Sequence, residues 1–141
     1  MHPVVKHVED LFLPHLERLA SEMRERFQSL NFNVWRWPSE TETEYIDYDI
    51  GVECVFPLLK GDTDNVALMV ELCFLNSKPR LMAGVGWGAP SAYSEATFRD
   101  DWLTNAEWPE ANPQTIEELR QFFPTLVHAF ESAVERGAPP T

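Results

Sequence analysis

The chain has 141 residues, a mass of 16.2 kDa and a formal net charge of −12, from 11 Lys and Arg against 23 Asp and Glu. This length suits a single domain, residues 1–141, that buries a core without help from disulfides or metal. The acidic balance argues against nucleic acid and against an anionic membrane surface as partners, because phosphate binding requires a basic surface.

The expected compartment is the cytoplasm. The sequence contains no signal-peptide pattern, no lipidation motif and no apolar run long enough to cross a membrane. Its two cysteines, Cys54 and Cys73, do not form the spaced set that is typical of a disulfide framework.

The first predicted element is a helix over residues 4–30, kinked at Pro14. Its apolar residues recur in steps of three and four, which places them on one face. They are Val8, Leu11, Phe12, Leu16, Leu19, Met23, Phe27 and Leu30.

The pattern then changes to the alternation of strands. Four strands are predicted, at 32–37, 45–56, 66–75 and 80–88. The second is the clearest, because Ile46 to Phe56 alternates apolar residues with Asp47, Asp49, Gly51 and Glu53. Tight turns near Gly61 and at Ser77–Lys78 would place Cys54 opposite Val70, and Phe74 opposite Leu81.

Residues 89–112 are interrupted by prolines, and within them 94–103 fits either a short helix, which we favour, or a fifth strand. A final helix is predicted from Thr115 to Arg136, with Thr115 and Glu118 as a capping box and Gly137 as its stop. The order of elements predicts an α+β two-layer sandwich. An antiparallel meander of four strands, or five, would carry both long helices on one face.

The other face of that sheet is predicted to be acidic and rich in glycine. It would hold Asp47, Asp49, Glu53 and Glu71, with Glu53 directly opposite Glu71, and a track formed by Gly84, Gly86 and Gly88. Two carboxylates facing each other would raise one pKa or require a cation. Glycine in a strand favours a close approach to the backbone, so the track would contact residues 89–112, an external ligand or partner, or mark a bulge.

Known catalytic patterns are absent from the sequence. The four histidines lack metal-ligand spacing, the glycines match no phosphate-binding loop, and no base lies near Cys73 in sequence. We therefore predict no catalytic residue, no metal and no cofactor. Cys54 is expected to face the core and Cys73 the opposite side, which excludes a disulfide between them.

These features favour a non-enzymatic protein that binds another protein with a basic surface. Immunity or inhibitor proteins and secretion chaperones are similar in size, acidity and mixed topology, a likeness of fold class only. Trp102 and Trp108, in the acidic segment before the last helix, are the candidate anchors. The alternatives are a small-ligand or enzyme site around Glu53, Glu71 and Gly84, and a homodimer formed through a strand edge or helix face.

Overall fold

The computed structural model describes residues 3–28, 31–41, 44–57, 63–88 and 102–137. Along the chain, one long helix precedes five strands and a second long helix follows them. These elements are α1 (Pro3–Arg26), β1 (Asn31–Thr41), β2 (Glu44–Pro57), β3 (Thr63–Leu75), β4 (Lys78–Gly88), β5 (Trp102–Trp108) and α2 (Pro113–Arg136).

The five strands form one antiparallel meander in the order β1-β2-β3-β4-β5, as the α+β prediction requires. The fifth strand corrects the favoured helix at 94–103, since Trp102 and Leu103 belong to β5; residues 94–101 lie outside the described residues. β1 also runs on through Pro38, which was expected to end it. Proline is tolerated there because β1 is an edge strand and needs no hydrogen bond on its outer side.

The face of the sheet that carries the helices, here the helix-side face, is apolar and buried at its centre. Ile50, Val70 and Val85 all lie on it with 0% exposure, as predicted. α1 packs on β1 and β2, and α2 packs on β3, β4 and β5. The apolar stripe of α1 supplies Val8, Phe12 and Leu16 to the same core, which explains why this polar-faced sequence is helical.

The strand register differs from the predicted one by even steps. Cys54 lies opposite Val66 instead of Val70, and Leu81 lies opposite Leu72 instead of Phe74. An even shift keeps every side chain on its face, so the division into faces was right although the pairs were wrong.

Turn chemistry explains the second of these shifts. The loop between β3 and β4 is Asn76–Ser77, one residue earlier than expected, with φ values of 53° and 64°. A two-residue hairpin loop of this type requires positive φ at both positions, and asparagine adopts that conformation more easily than most residues.

The ends of α2 are defined by a cap and a stop. Asn112 is the N-cap, and its Oδ1 accepts from the Thr115 backbone N–H at 3.0 Å, so the capping box begins at Asn112 and not at Thr115. Gly137, at φ 65°, ends the helix as predicted.

The two helices run side by side in the same direction. Phe12 lies 5.3 Å from Phe123 between ring centroids, and further along Arg26 reaches Glu131 at 3.0 Å and also pairs with Glu135. The first contact fixes the helices in the core, whereas the ion pairs join their exposed carboxyl ends.

Candidate functional site

The face of the sheet opposite the helices, here the far face, holds the predicted site residues of β2, β3 and β4. The register places six of them together on it, namely Asp47, Asp49, Glu53, Glu71, Gly84 and Gly86. Gly84 and Gly86 are buried, and their strand neighbours on β3 are Met69 and Ala67. The acidic and glycine-containing character of this face was therefore readable from the sequence.

The predicted carboxylate pair is wrong, however. Glu53 lies opposite Ala67, and the residue opposite Glu71 is Asp49. The four-residue shift of register is the reason, since it moves Glu71 along β2 without changing its face. Glu71 is only 4% exposed, whereas Asp49 is half-buried, so the pair joins one interior and one accessible carboxylate.

Glu53 is held by a neighbour that sequence analysis did not single out. Asn65 is fully buried, and its Nδ2 donates to Glu53 Oε2 at 2.7 Å. Burial raises the pKa of the Glu53 carboxyl, and the hydrogen bond from Asn65 opposes that shift. Glu53 is thus a positioned, partly desolvated acceptor.

Among the side chains that the structure describes, Trp35 is the aromatic residue of the far face. Its indole covers Gly51 so closely that a Cβ at position 51 would lie 2.7 Å from Trp35 Cζ2. Gly51 lies between Asp49 and Glu53 on β2, and it is the strand partner of Trp35. We call Trp35, Asp49 and Glu53 the Trp35 patch; all three are half-buried, so each keeps an accessible part.

A signal for this arrangement was present in the sequence. Gly51 interrupts the acidic positions of β2, and glycine inside a strand marks a close approach of another group. What was lacking was the register between β1 and β2, which decides whether Trp35 or Trp37 lies over that glycine.

The two tryptophans proposed as anchors lie elsewhere. Trp108 is on the helix-side face, where it packs against the core and its Nε1 donates to Glu118 Oε2 at 2.7 Å. Trp102 pairs through its backbone with Gly86, and its side chain lies outside the described residues. Trp108 therefore joins β5 to α2 and does not contribute to the far face.

The two cysteines lie on opposite faces, as predicted, and they do not form a disulfide bond. Burial, and next the charge of Glu53, raise the pKa of the Cys54 thiol to about 12, so this thiol is inert at neutral pH. Cys73 is half-buried on the far face, between Asp47 of β2 and Arg80 of β4.

A second polar cluster joins α1 to the sheet, and sequence analysis missed it. The Tyr48 hydroxyl donates to Glu9 Oε2, which also accepts from Arg36 Nη2 at 3.1 Å. Tyr48 is fully buried, and burial followed by the contact with Glu9 raises the pKa of its phenol. The three residues come from three separate elements, so only the packing of α1 on β1 and β2 reveals them.

The structure also contains a cleft between the helices, of about 390 Å³. Leu19 and Phe123 are among the apolar residues that line it, and His15, Arg18 and Arg120 are among the polar ones. Among the residues that the structure describes, no group of three His, Cys, Asp or Glu side chains is placed to hold a metal ion.

Comparisons of the chain with protein-family models, with curated proteins and with solved structures give no match. No helix in the described part of the chain is both long enough and apolar enough to cross a membrane.

Proposed function

We propose that this chain is a non-enzymatic binding protein that engages a partner protein with a basic surface through the Trp35 patch. The observation that supports this most is that the Trp35 indole covers Gly51, which is flanked along β2 by two half-buried carboxylates of the same face, Asp49 and Glu53. A Lys or Arg of the partner would place its charge over the indole and donate hydrogen bonds to the carboxylates.

The charge around the patch supports the same partner. The described carboxylates of the far face are Asp47, Asp49, Glu53, Glu71 and Glu107, and its described cations are Lys78 and Arg80. With a net charge of −12 for the chain, this excess attracts basic surfaces over a distance and speeds their association.

On the helix layer, several cations lie against acceptors of the chain itself and neutralise part of its negative charge. Arg24 binds the Phe32 carbonyl oxygen, and Arg26 pairs with Glu131 and Glu135. Arg120 forms a double hydrogen bond with Glu117. The cations of the helices lie on the other side of the sheet, so they do not pair with the carboxylates of the far face.

A direct test uses NMR of the indole N–H groups while an arginine-rich peptide is added. The proposal predicts that the Trp35 signal shifts first, and that Asp49→Asn with Glu53→Gln abolishes the shift. Glu17→Gln with Glu25→Gln is the matched control, because both glutamates are exposed on α1 and the double variant removes the same charge. If both double variants weaken the binding of the arginine-rich peptide equally, net charge alone explains the binding, and the proposal is contradicted.

We place this activity in the cytoplasm. Neither cysteine is in a disulfide bond, and Cys73 is half-buried on the face proposed to bind the partner, which suits a reducing compartment.

A small-ligand or enzymatic site on the far face is the second candidate, and the burial of Glu71 opposite Asp49 favours it. Its ligand would enter at Asp49, the accessible member of the pair, because Gly84 and Gly86 are buried. A screen of metabolites by thermal shift tests this candidate, which requires a compound that stabilises the wild type and not the Glu71→Gln variant. Such a compound would leave the response of Trp35 to arginine-rich peptide unexplained, so the two candidates are separable.

A further inference from the structure

The two edges of the sheet are not equivalent. On β1, Arg24 Nε and Nη2 donate to the Phe32 carbonyl oxygen at 3.0 and 2.7 Å, and Pro38 has no backbone N–H. These features prevent a further strand from adding to β1. On β5, no strand among the described residues pairs with the outer side.

We infer that this chain forms a symmetric dimer in which β5 pairs antiparallel with β5 of a second copy, centred on Ala106. In that register Thr104 lies opposite Trp108 of the second copy, and Asn105 lies opposite Glu107 of the second copy. An asparagine amide donates to a carboxylate, so the exposed residues of this strand complement themselves and no like charges face each other.

The position of the bulge in β5 selects this centre. Val85 pairs with Thr104 and Gly86 with Trp102, so Leu103 is the extra residue and the ladder is irregular there. The regular part of β5 is therefore Thr104–Trp108, and its midpoint is Ala106.

The helix layer leaves room for this pairing. α2 packs on β3, β4 and β5, so its axis lies close to β4, and a continuous sheet would place the two copies of α2 on the same side. The two β4 strands would be three spacings apart, about 14 Å. Helices pack at about 8–10 Å, so the copies of α2 do not collide.

The dimer and the proposed complex with a basic partner should respond to salt in opposite ways. Two chains of charge −12 repel each other, and salt screens that repulsion while leaving backbone hydrogen bonds largely unaffected. The dimer should therefore tighten as the salt concentration rises, whereas the complex with a basic partner should weaken. If the dimer does not form, the proposed binding of a basic partner still stands, and the dimer likewise does not depend on that binding.

Disulfide trapping in a Cys73→Ser background tests the register, with Asn105→Cys and Glu107→Cys made in separate chains. Both positions are exposed. A mixture of the two variants should give a covalent heterodimer on mild oxidation. Each variant alone should not, because its two cysteines would be about 8 Å apart between Cα atoms, beyond disulfide reach. Equal cross-linking of Asn105→Cys alone, or none in the mixture, would overturn the register.

Light scattering over a range of concentration and salt tests the dimer itself. The wild type should approach twice its 16.2 kDa mass at high concentration. Asn105→Glu places a carboxylate opposite Glu107 at both symmetry-related sites, so the dissociation constant should rise about tenfold or more. Asn33→Glu, at an exposed position on β1, adds the same charge and should leave the constant nearly unchanged. A wild type that stays at the mass of one chain under all conditions would refute the dimer.

Discussion

The indole of Trp35 covers Gly51 from the neighbouring strand, and the two residues are packed without space for a methyl group. A Cβ at position 51 would lie 2.5 Å from the Leu68 carbonyl oxygen and 2.7 Å from Trp35 Cζ2. The glycine thus fixes the depth of the indole, and with it the position of the aromatic surface between Asp49 and Glu53.

Gly51→Ala should therefore destabilise the fold by about 1–3 kcal/mol, because overpacking of a close contact forces the backbone to move. Trp35→Ala in the same chain should recover only part of the loss, since the contact with the Leu68 carbonyl oxygen remains. Urea denaturation of the two single variants and the double variant measures this. Full recovery in the double variant would show that the indole alone requires glycine at position 51.

Glu53→Gln should raise the stability at neutral pH. Because burial raises the pKa of Glu53, the fold favours its protonated form. The contribution of Glu53 to the free energy of unfolding is greatest below the pKa of its carboxyl in the unfolded chain, about 4.3. This contribution is lost as the pH rises through the higher pKa of the same carboxyl in the folded protein. Glutamine stays neutral and still accepts from Asn65.

The gain should appear in thermal unfolding at pH 7 and vanish near pH 3, and the exposed Glu17→Gln should show no gain at either pH. A variant that is more stable but binds arginine-rich peptide less well would identify Glu53 as a residue kept for binding at a cost in stability. Lower stability of Glu53→Gln at pH 7 would contradict this account of its environment.

Tyr48→Phe should cost about 1 kcal/mol, the net value of a buried hydrogen bond. The raised pKa of Tyr48 also predicts a dependence on alkaline pH. The neutral phenol is favoured in the fold, so its contribution is complete below the unfolded pKa of about 10 and decreases as the pH rises above it. Chemical denaturation between pH 8 and 11 should give a flatter curve for Tyr48→Phe than for the wild type. Parallel curves would show that this phenol is not held neutral by the fold.

The two thiols should react at very different rates. In the native protein at pH 8, iodoacetamide should modify Cys73 and leave Cys54 unmodified, because Cys54 is fully buried and its thiol pKa is raised to about 12. In urea both should react equally. Mass spectrometry of the peptides distinguishes them, and fast modification of Cys54 in the folded protein would contradict the assignment of faces.

Side-chain periodicity accounts for most of what the sequence predicts correctly. The alternation from Ile46 to Phe56 and the apolar stripe of α1 depend on neighbours along the chain, so the two faces and both helices follow from it. The pairing of Glu53 failed because register depends on loop geometry, and an even slip leaves the pattern unchanged.

The unpredicted parts all depend on contacts between distant elements. Tyr48 meets Glu9 of α1, and Trp35 meets Gly51 of the adjacent strand. β5 contains Thr104, Asn105 and Ala106 in place of a run of β-branched residues, and it becomes a strand because β4 offers it an edge.

The most direct test of the proposed binding is hydrogen exchange of the chain alone and in complex with a basic protein captured by the wild type and not by Trp35→Phe. The account predicts slower exchange at residues 33–36 and 49–53, with α1 and α2 unchanged. Protection confined to the helices would contradict it, because the partner would then lie on the opposite side of the sheet from Trp35, Asp49 and Glu53.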